Sequence, residues 1–207
     1  MPPVARGSGT RERIIDATRA VMLNKGLVHA TTKEFARGRL SEGTIYNYFA
    51  SKEDLFLCTL TQLRSGFVTL MRELHERAGT GTVSSTLSSV AQSALDFYDE
   101  AIPMGASFFA DPDLLARHRE LLSERGAGPQ RANEAVAGYL RAEQRLGRVR
   151  GDADPETVAY MLLGALYQYV YWRQFVGRPQ QPDADDRFIT GILATLDHAL
   201  APVTERG

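Results

Sequence analysis

Apolar residues recur every three or four positions along the whole chain, and runs of alternating β-branched residues are missing, so the pattern predicts an all-α protein. The first helix spans about Thr10 to Lys25, with Ile14, Ala17 and Val21 on one face and Gly26 as a left-handed terminator. A second, short helix opens at Thr31 or Thr32, where Thr31 and Glu34 have the spacing of a capping box, and carries Phe35 and Ala36. After a turn at Gly38 to Leu40, Ser41 caps a third helix reaching Tyr48 or Phe49. Ser51, with Glu53 and Asp54, opens a fourth. That helix is long: Phe56, Leu60, Leu63, Phe67, Leu70 and Leu74 keep the helical spacing until Gly79 and Gly81 break it.

The second part follows a flexible Gly- and Ser-containing stretch at 79–85. Helices are predicted at about Ser84 to Ala101, at Pro112 to Arg125 with Asp111 as cap, at Pro129 to Leu146, at Pro155 to Val176 after Asp154, and at Asp185 to Leu200. The expected organisation is a three-helix N-terminal domain at 1–52, a connecting helix at about 52–78, and a C-terminal helical domain at 79–207. No internal repeat is visible.

Composition narrows the class. Among 207 residues, a single cysteine, Cys58, excludes an internal disulfide framework, and four scattered histidines offer no zinc-ligand spacing. The longest charge-free apolar stretch, Thr157 to Trp172, falls short of the roughly 20 residues a membrane span needs. Pro2, Pro3, Arg6 and Gly7 stand where a signal peptide needs an apolar core, so the expected compartment is the cytoplasm, with no membrane partner. The formal net charge of −1 conceals an uneven distribution. Residues 1–52 hold nine Lys and Arg against four acidic residues, a net of +5, and the remainder holds 15 against 21, a net of −6. A basic segment on an acidic protein is the footprint of a polyanion-binding module.

The local sequence from Leu40 to Phe56 gives that footprint its chemistry. On a helix capped by Ser41, Ile45 and Phe49 lie four apart and face the core, while Glu42, Thr44, Asn47 and Tyr48 point elsewhere. Gly43 lets backbone approach a neighbouring surface closely, at a cost in helix propensity. Thr and Tyr hydroxyls, a lysine just beyond the helix and free backbone N–H groups are phosphate donors, and Asn can pair bidentately with adenine in the major groove. A helix with such a face is a recognition helix.

Here the chain resembles the TetR family of transcriptional regulators. The resemblance covers Thr10 to about Phe56 and rests on Ser41-x-Gly43-Thr44-x-Tyr46-x-Tyr48-Phe49-x-Ser51-Lys52-x-x-Leu55. It implies a homodimer with one helix-turn-helix per subunit, an inverted-repeat operator in double-stranded DNA, and a divergent helical domain that binds a small effector and carries most of the dimer interface. By the same resemblance Thr32, Thr44, Tyr48 and Lys52 grip phosphates, Lys33, Glu42, Gly43 and Asn47 approach bases, and Tyr46 divides its ring between core and backbone contact. One departure stands out. Family members commonly place five residues between the alanine of the second helix and the capping serine, whereas four separate Ala36 from Ser41. Either the second helix ends early with Gly38 left-handed, or its register rotates against the recognition helix.

In the C-terminal half, the helix from Pro155 to Val176 is apolar nearly all round, as expected of a helix buried on more than one side. Packed with the stripe Phe188, Ile189, Ile192, Leu193, Leu196 and Leu200 of the last helix, it predicts a four-helix dimer interface; the interior of a monomeric bundle has the same periodicity. Aromatic and polar residues concentrate in the same half, and Phe97, Phe108, Tyr139, Tyr167, Gln168, Tyr171 and Trp172 are the candidate lining of a pocket for an apolar or aromatic small molecule. An enzyme would need a convergent acid, base or nucleophile set, and none is legible, nor is a metal or cofactor motif. The expectation is therefore a non-enzymatic repressor released from DNA by its effector. The alternative, a helical small-molecule carrier or scaffold without DNA binding, leaves the basic N-terminal motif without a use.

Overall fold

The computed structural model describes residues 8–29, 41–61, 66–106, 109, 111–124 and 126–202, and these are helical with no strand among them. Numbering the described helices in chain order, α1 is Ser8–His29, α2 Glu42–Tyr46, α3 Lys52–Thr61, α4 Gly66–Glu73, α5 Val83–Gly105, α6 Pro112–Glu124, α7 Gln130–Arg145, α8 Pro155–Phe175 and α9 Pro182–Leu200. By packing, residues 1–63 with 100–126 form one compact unit and 64–99 with 127–207 a second. A division of the linear chain at residue 79 instead leaves 100–126 with the C-terminal part.

In the first unit α1 packs on α3. Ile14 and Ile15 of α1 join Ile45, Phe49 and Leu55 in one buried cluster, with Val21 and Cys58 against it. The helical spacing works because Thr18, fully buried in the same stripe, returns its hydroxyl proton to the Ile14 carbonyl at 2.8 Å and leaves no orphan polar group. Gly26 does not stop α1, which continues to His29; a glycine inside a helix costs only about 1 kcal/mol against alanine, less than packing can return. The expected second helix, with Thr32 and Lys33, lies outside the described residues.

The second unit begins with α4, whose Phe67 and Leu70 are buried, and the expected continuous helix to Ala78 tightens into a 3₁₀ turn at Leu74–Arg77. The turn ends at Gly79, whose φ of 79° is open to glycine at little cost, and the Gly79 N–H donates to Oε1 of the fully buried Glu143 at 3.2 Å. Arg148 Nε sits 3.1 Å from the other carboxylate oxygen, so the buried charge is paired. Helices α6, α7 and α8 start and end within one residue of expectation. Asp111 accepts the N–H groups of Asp113 and Leu114, and Asp154 accepts that of Thr157 at 3.1 Å with Pro155 at the first turn.

Two boundaries beyond residue 79 differ from expectation by more than one residue. Helix α9 begins at Pro182 rather than Asp185, because a proline needs no helical donor in the first turn. Helix α5 runs past Ala101 to Gly105 with Pro103 inside it. Helix α8 buries Val158, Leu162, Leu163, Leu166 and Val170 against its own chain, with α7 its most extensive neighbour, while Tyr160, Met161, Tyr167, Tyr171, Trp172 and Phe175 stand exposed. No helix among the described residues is long and apolar enough to cross a membrane.

Candidate nucleic-acid interface

The N-terminal site is built around α2. Ser41, extended at φ −91° and ψ 156°, accepts the Thr44 N–H on its Oγ at 3.1 Å, and the two hydroxyls lie 2.9 Å apart. This satisfies one of the N–H groups that every helix start leaves free. Two side chains anchor the short helix: Ile45 and Phe49 are each 1% exposed and lie in the cluster with Ile14 and Leu55. The α-helix ends at Tyr46, sooner than the expected Tyr48 or Phe49. Asn47 is its C-cap and donates to the Gly43 carbonyl at 3.2 Å, while Tyr48 and Phe49 both donate to Ile45 in a closing turn. Asn47 and Tyr48 are therefore held by the cap rather than carried on the helix barrel.

The outward side of this segment is polar and open. Ser41, Gly43, Tyr46, Asn47 and Tyr48 are exposed and Thr44 is half-buried; Tyr46, expected to lay part of its ring in the core, is 51% exposed. A Cβ built on Gly43 meets only the Ser41 hydroxyl, at 3.8 Å. No described neighbour asks for glycine there. The junction to α3 is fastened locally: Ser51 Oγ accepts the Asp54 N–H at 3.0 Å, and Asp54 Oδ2 accepts the Ala50 N–H at 3.1 Å. Lys52 opens α3 and Glu42 opens α2, so both backbones lie at helix starts flanking the exposed segment. Behind it, the Arg11 guanidinium lies over the Phe49 ring, 5.2 Å from its centre, bringing a cation the sequence did not single out to the rear of this segment.

The aromatic candidates of the second unit divide. Phe97 stacks on Phe67 at 5.1 Å and touches Tyr98; Tyr98 meets the edge of Tyr167 at 5.4 Å; Tyr167 leads to Tyr171 and Tyr171 to Phe175. Thus Phe97, Tyr167 and Tyr171 belong to one ladder of rings, which Phe67 and Tyr98 complete. Burial pushes the Tyr98 phenol up to about 12, with Tyr167 adding to the effect. Tyr139 is fully buried elsewhere, beside Thr86 and Glu143, and burial pushes its phenol up to about 12 as well. Gln168 and Trp172 lie on the exposed side of α8, where Arg178 covers the Trp172 ring at 5.0 Å. Phe108 lies outside the described residues. A cleft of about 410 Å³ between α8 and α9, with Met161, Ala165, Phe188 and Ile192 among its walls, contains none of the candidate pocket residues.

Comparison with known proteins gives this arrangement a family. The family model "Bacterial regulatory proteins, tetR family" matches residues 14–58, and "AefR-like transcriptional repressor, C-terminal domain" matches residues 110–192. YdgC of Bacillus subtilis strain 168, an HTH-type transcriptional regulator itself uncharacterized, is 26% identical over 166 residues, covering 78% of this chain and 80% of YdgC. Among solved structures, a Mesorhizobium loti protein assigned to the TetR family of transcriptional regulators superposes with a TM-score of 0.74 at 19% identity, covering 96% of this chain and all of that one. Salmonella enterica GusR gives 0.72 at 19% identity, covering 95% and 98% of the two chains. With the tetR-family model over residues 14–58 and the AefR-like repressor model over residues 110–192, together more than half of its length, this chain belongs to the TetR family of DNA-binding transcriptional regulators.

Proposed function

We propose that the chain is a homodimeric, ligand-responsive repressor that binds an inverted-repeat operator and leaves it when a small apolar or aromatic effector binds. The observation that carries the reading is the exposed segment from Ser41 to Tyr48: two buried anchors fix it, its polar groups face outward, and Gly43 leaves room that no described neighbour fills. Thr44, Tyr48 and Lys52, with Thr32, are the phosphate ligands, and Gly43 and Asn47, with Lys33 and Glu42, approach base edges. Phosphate ligands fix register and base-edge ligands choose sequence. Repression is supported by the AefR-like repressor model over residues 110–192.

The dimer forms through α8 and α9; the outer face of α8 keeps Tyr160, Met161 and Phe175 exposed in the single chain. The functional division is a DNA-binding domain at 1–52, a connecting segment at 52–78 and an effector and dimer domain from 79 onward. Candidate effector contacts are Phe97, Tyr167 and Tyr171 on the ring ladder, with Phe108, Tyr139, Gln168 and Trp172.

Anisotropy titrations of duplexes flanking the protein's own gene test the reading. Tyr48→Phe weakens binding to specific and random duplexes alike, whereas Asn47→Ala erodes only the preference between them. Equal loss of preference in both variants contradicts the assignment.

A further inference from the structure

The buried stripe of α1 runs through Ile14, Ile15, Thr18 and Met22, and its helical spacing extends back to Arg11. A charge therefore stands where the stripe calls for an apolar side chain. Arg11 is half-buried, with its guanidinium over the ring of Phe49, which is itself 1% exposed. It is the fourth residue of α1, whose first turn holds no acidic residue, so the cation also lies at the end of the helix dipole that repels it. Glu12 and Asp16, the nearest acids in sequence, are exposed. No carboxylate among the described residues lies within ion-pair distance of Arg11, whereas Arg19 of the same helix pairs with Glu100. A packing role alone is served by methionine without the charge. What a guanidinium adds is a planar fork of N–H donors, and an aromatic face beneath it holds that plane while the donor edge stays open to an anion.

We propose that Arg11 is a phosphate ligand of the DNA complex, contributed by α1 from outside the helix-turn-helix motif and seated on the ring that anchors the recognition segment. The inference rests on the DNA-binding reading of Ser41 to Tyr48 and adds a residue to it. Set back from the face with Gly43 and Asn47, the cation meets the phosphate strand that borders a groove and not the base edges within it, so it fixes register and carries no sequence preference. Phe49 ties that register to the segment: its ring is the floor under Arg11, and the residue before it, Tyr48, is exposed. Helix α1, Phe49 and their shared cluster with Ile45 and Leu55 all belong to the first compact unit. A guanidinium held in one plane gives up less rotamer freedom per hydrogen bond than a free one, and its fork matches two phosphate oxygens.

Arg11→Met in the full chain tests it, because methionine keeps an unbranched stem over Phe49 and removes the charge and the donors. Anisotropy is titrated on a duplex flanking the protein's own gene and on a random duplex, between about 50 and 200 mM salt. The magnitude of the log K against log salt slope is expected to fall by about 0.9 for each bound subunit, with affinity lowered by the same factor on both duplexes. A folded Arg11→Met with an unchanged slope overturns the proposal whatever happens to affinity, since a merely structural arginine releases no counterion. Loss confined to the specific duplex overturns it too. Wild-type protein gives a reading that does not depend on how the variant folds. The Arg11 Nε–H resonance, assigned by its absence from Arg11→Lys, is expected to shift on titration with the random duplex, and a resonance unmoved at saturation overturns the proposal. Wild type that binds both duplexes equally counts against the operator reading alone, since the slope on either duplex still judges Arg11. Wild type that binds neither removes the DNA-binding reading and Arg11 with it.

Discussion

Gly43 lies in the first turn of α2, where its described neighbours would accept alanine, since among them a Cβ meets only the Ser41 hydroxyl at 3.8 Å. Replacing it therefore separates stability from function. Gly43→Ala is expected to raise stability by up to about 1 kcal/mol through helix propensity. It should also weaken duplex binding by about 5- to 150-fold, the effect of about 1–3 kcal/mol of overpacking at a close contact. Thermal melts and anisotropy titrations on the same preparations check the two signs. Lys52 makes a different claim: as one phosphate ligand, its replacement by alanine should lower the magnitude of the log K against log salt slope by about 0.9. An unchanged slope removes Lys52 from the phosphate set. The buried anchors Ile45 and Phe49 were legible in sequence because spacing four residues apart on a local motif decides which side chains are buried. Arg11 over Phe49 was not, since 38 residues separate them and only the fold of α1 onto the recognition segment brings them together.

Helix starts were read correctly wherever a short polar side chain precedes them, as at Ser41, Asp111 and Asp154, because a cap is a bond to an N–H two or three residues on. The Asp154 cap also makes a pH prediction. Its hydrogen bonds to the Thr157 hydroxyl and N–H hold its carboxyl below the usual range. A depressed folded-state pKa stabilises at pH values above the unfolded value near 3.9 and loses that contribution as pH falls through the folded one. The difference in Tm between wild type and Asp154→Ala should thus be full at neutral pH and close in strong acid. A difference independent of pH would assign the capping effect to something other than the charged carboxylate. Where packing overrode local signals the boundaries moved. Gly26 failed to end α1, and α5 continued through Pro103.

Helices α8 and α9 reveal what one chain leaves uncovered. Leu193 and Leu196 are buried within their own chain, whereas Met161 is 57% exposed and Ile192 lines the outer cleft between the two helices. In sedimentation, Met161→Glu is therefore expected to yield a monomer of unchanged helix content, while Leu193→Glu should unfold the chain. A Met161→Glu dimer would place the interface elsewhere. The aromatic half was legible as a concentration of rings, but their order was not. The ladder from Phe67 through Phe97 and Tyr98 to Tyr167 joins three helices, and periodicity cannot report which helices adjoin. Trp172 gives that half a signal of its own. An apolar or aromatic effector that changes its emission should bind about 5- to 150-fold less tightly when operator is present, since coupling between two sites is reciprocal and is commonly about 1–3 kcal/mol. Identical affinity with and without operator would mean that the ligand does not regulate.

Footprinting of the full chain on the DNA flanking its own gene addresses the central claim, that two exposed Ser41–Tyr48 segments related by a two-fold axis read an operator. The account predicts paired protected patches on an inverted repeat, centred about 34 Å apart or a multiple of it, and their loss in Asn47→Ala at protein concentrations where random DNA is bound as before. Uniform protection along the duplex, or a single patch of unchanged strength in Asn47→Ala, would contradict it.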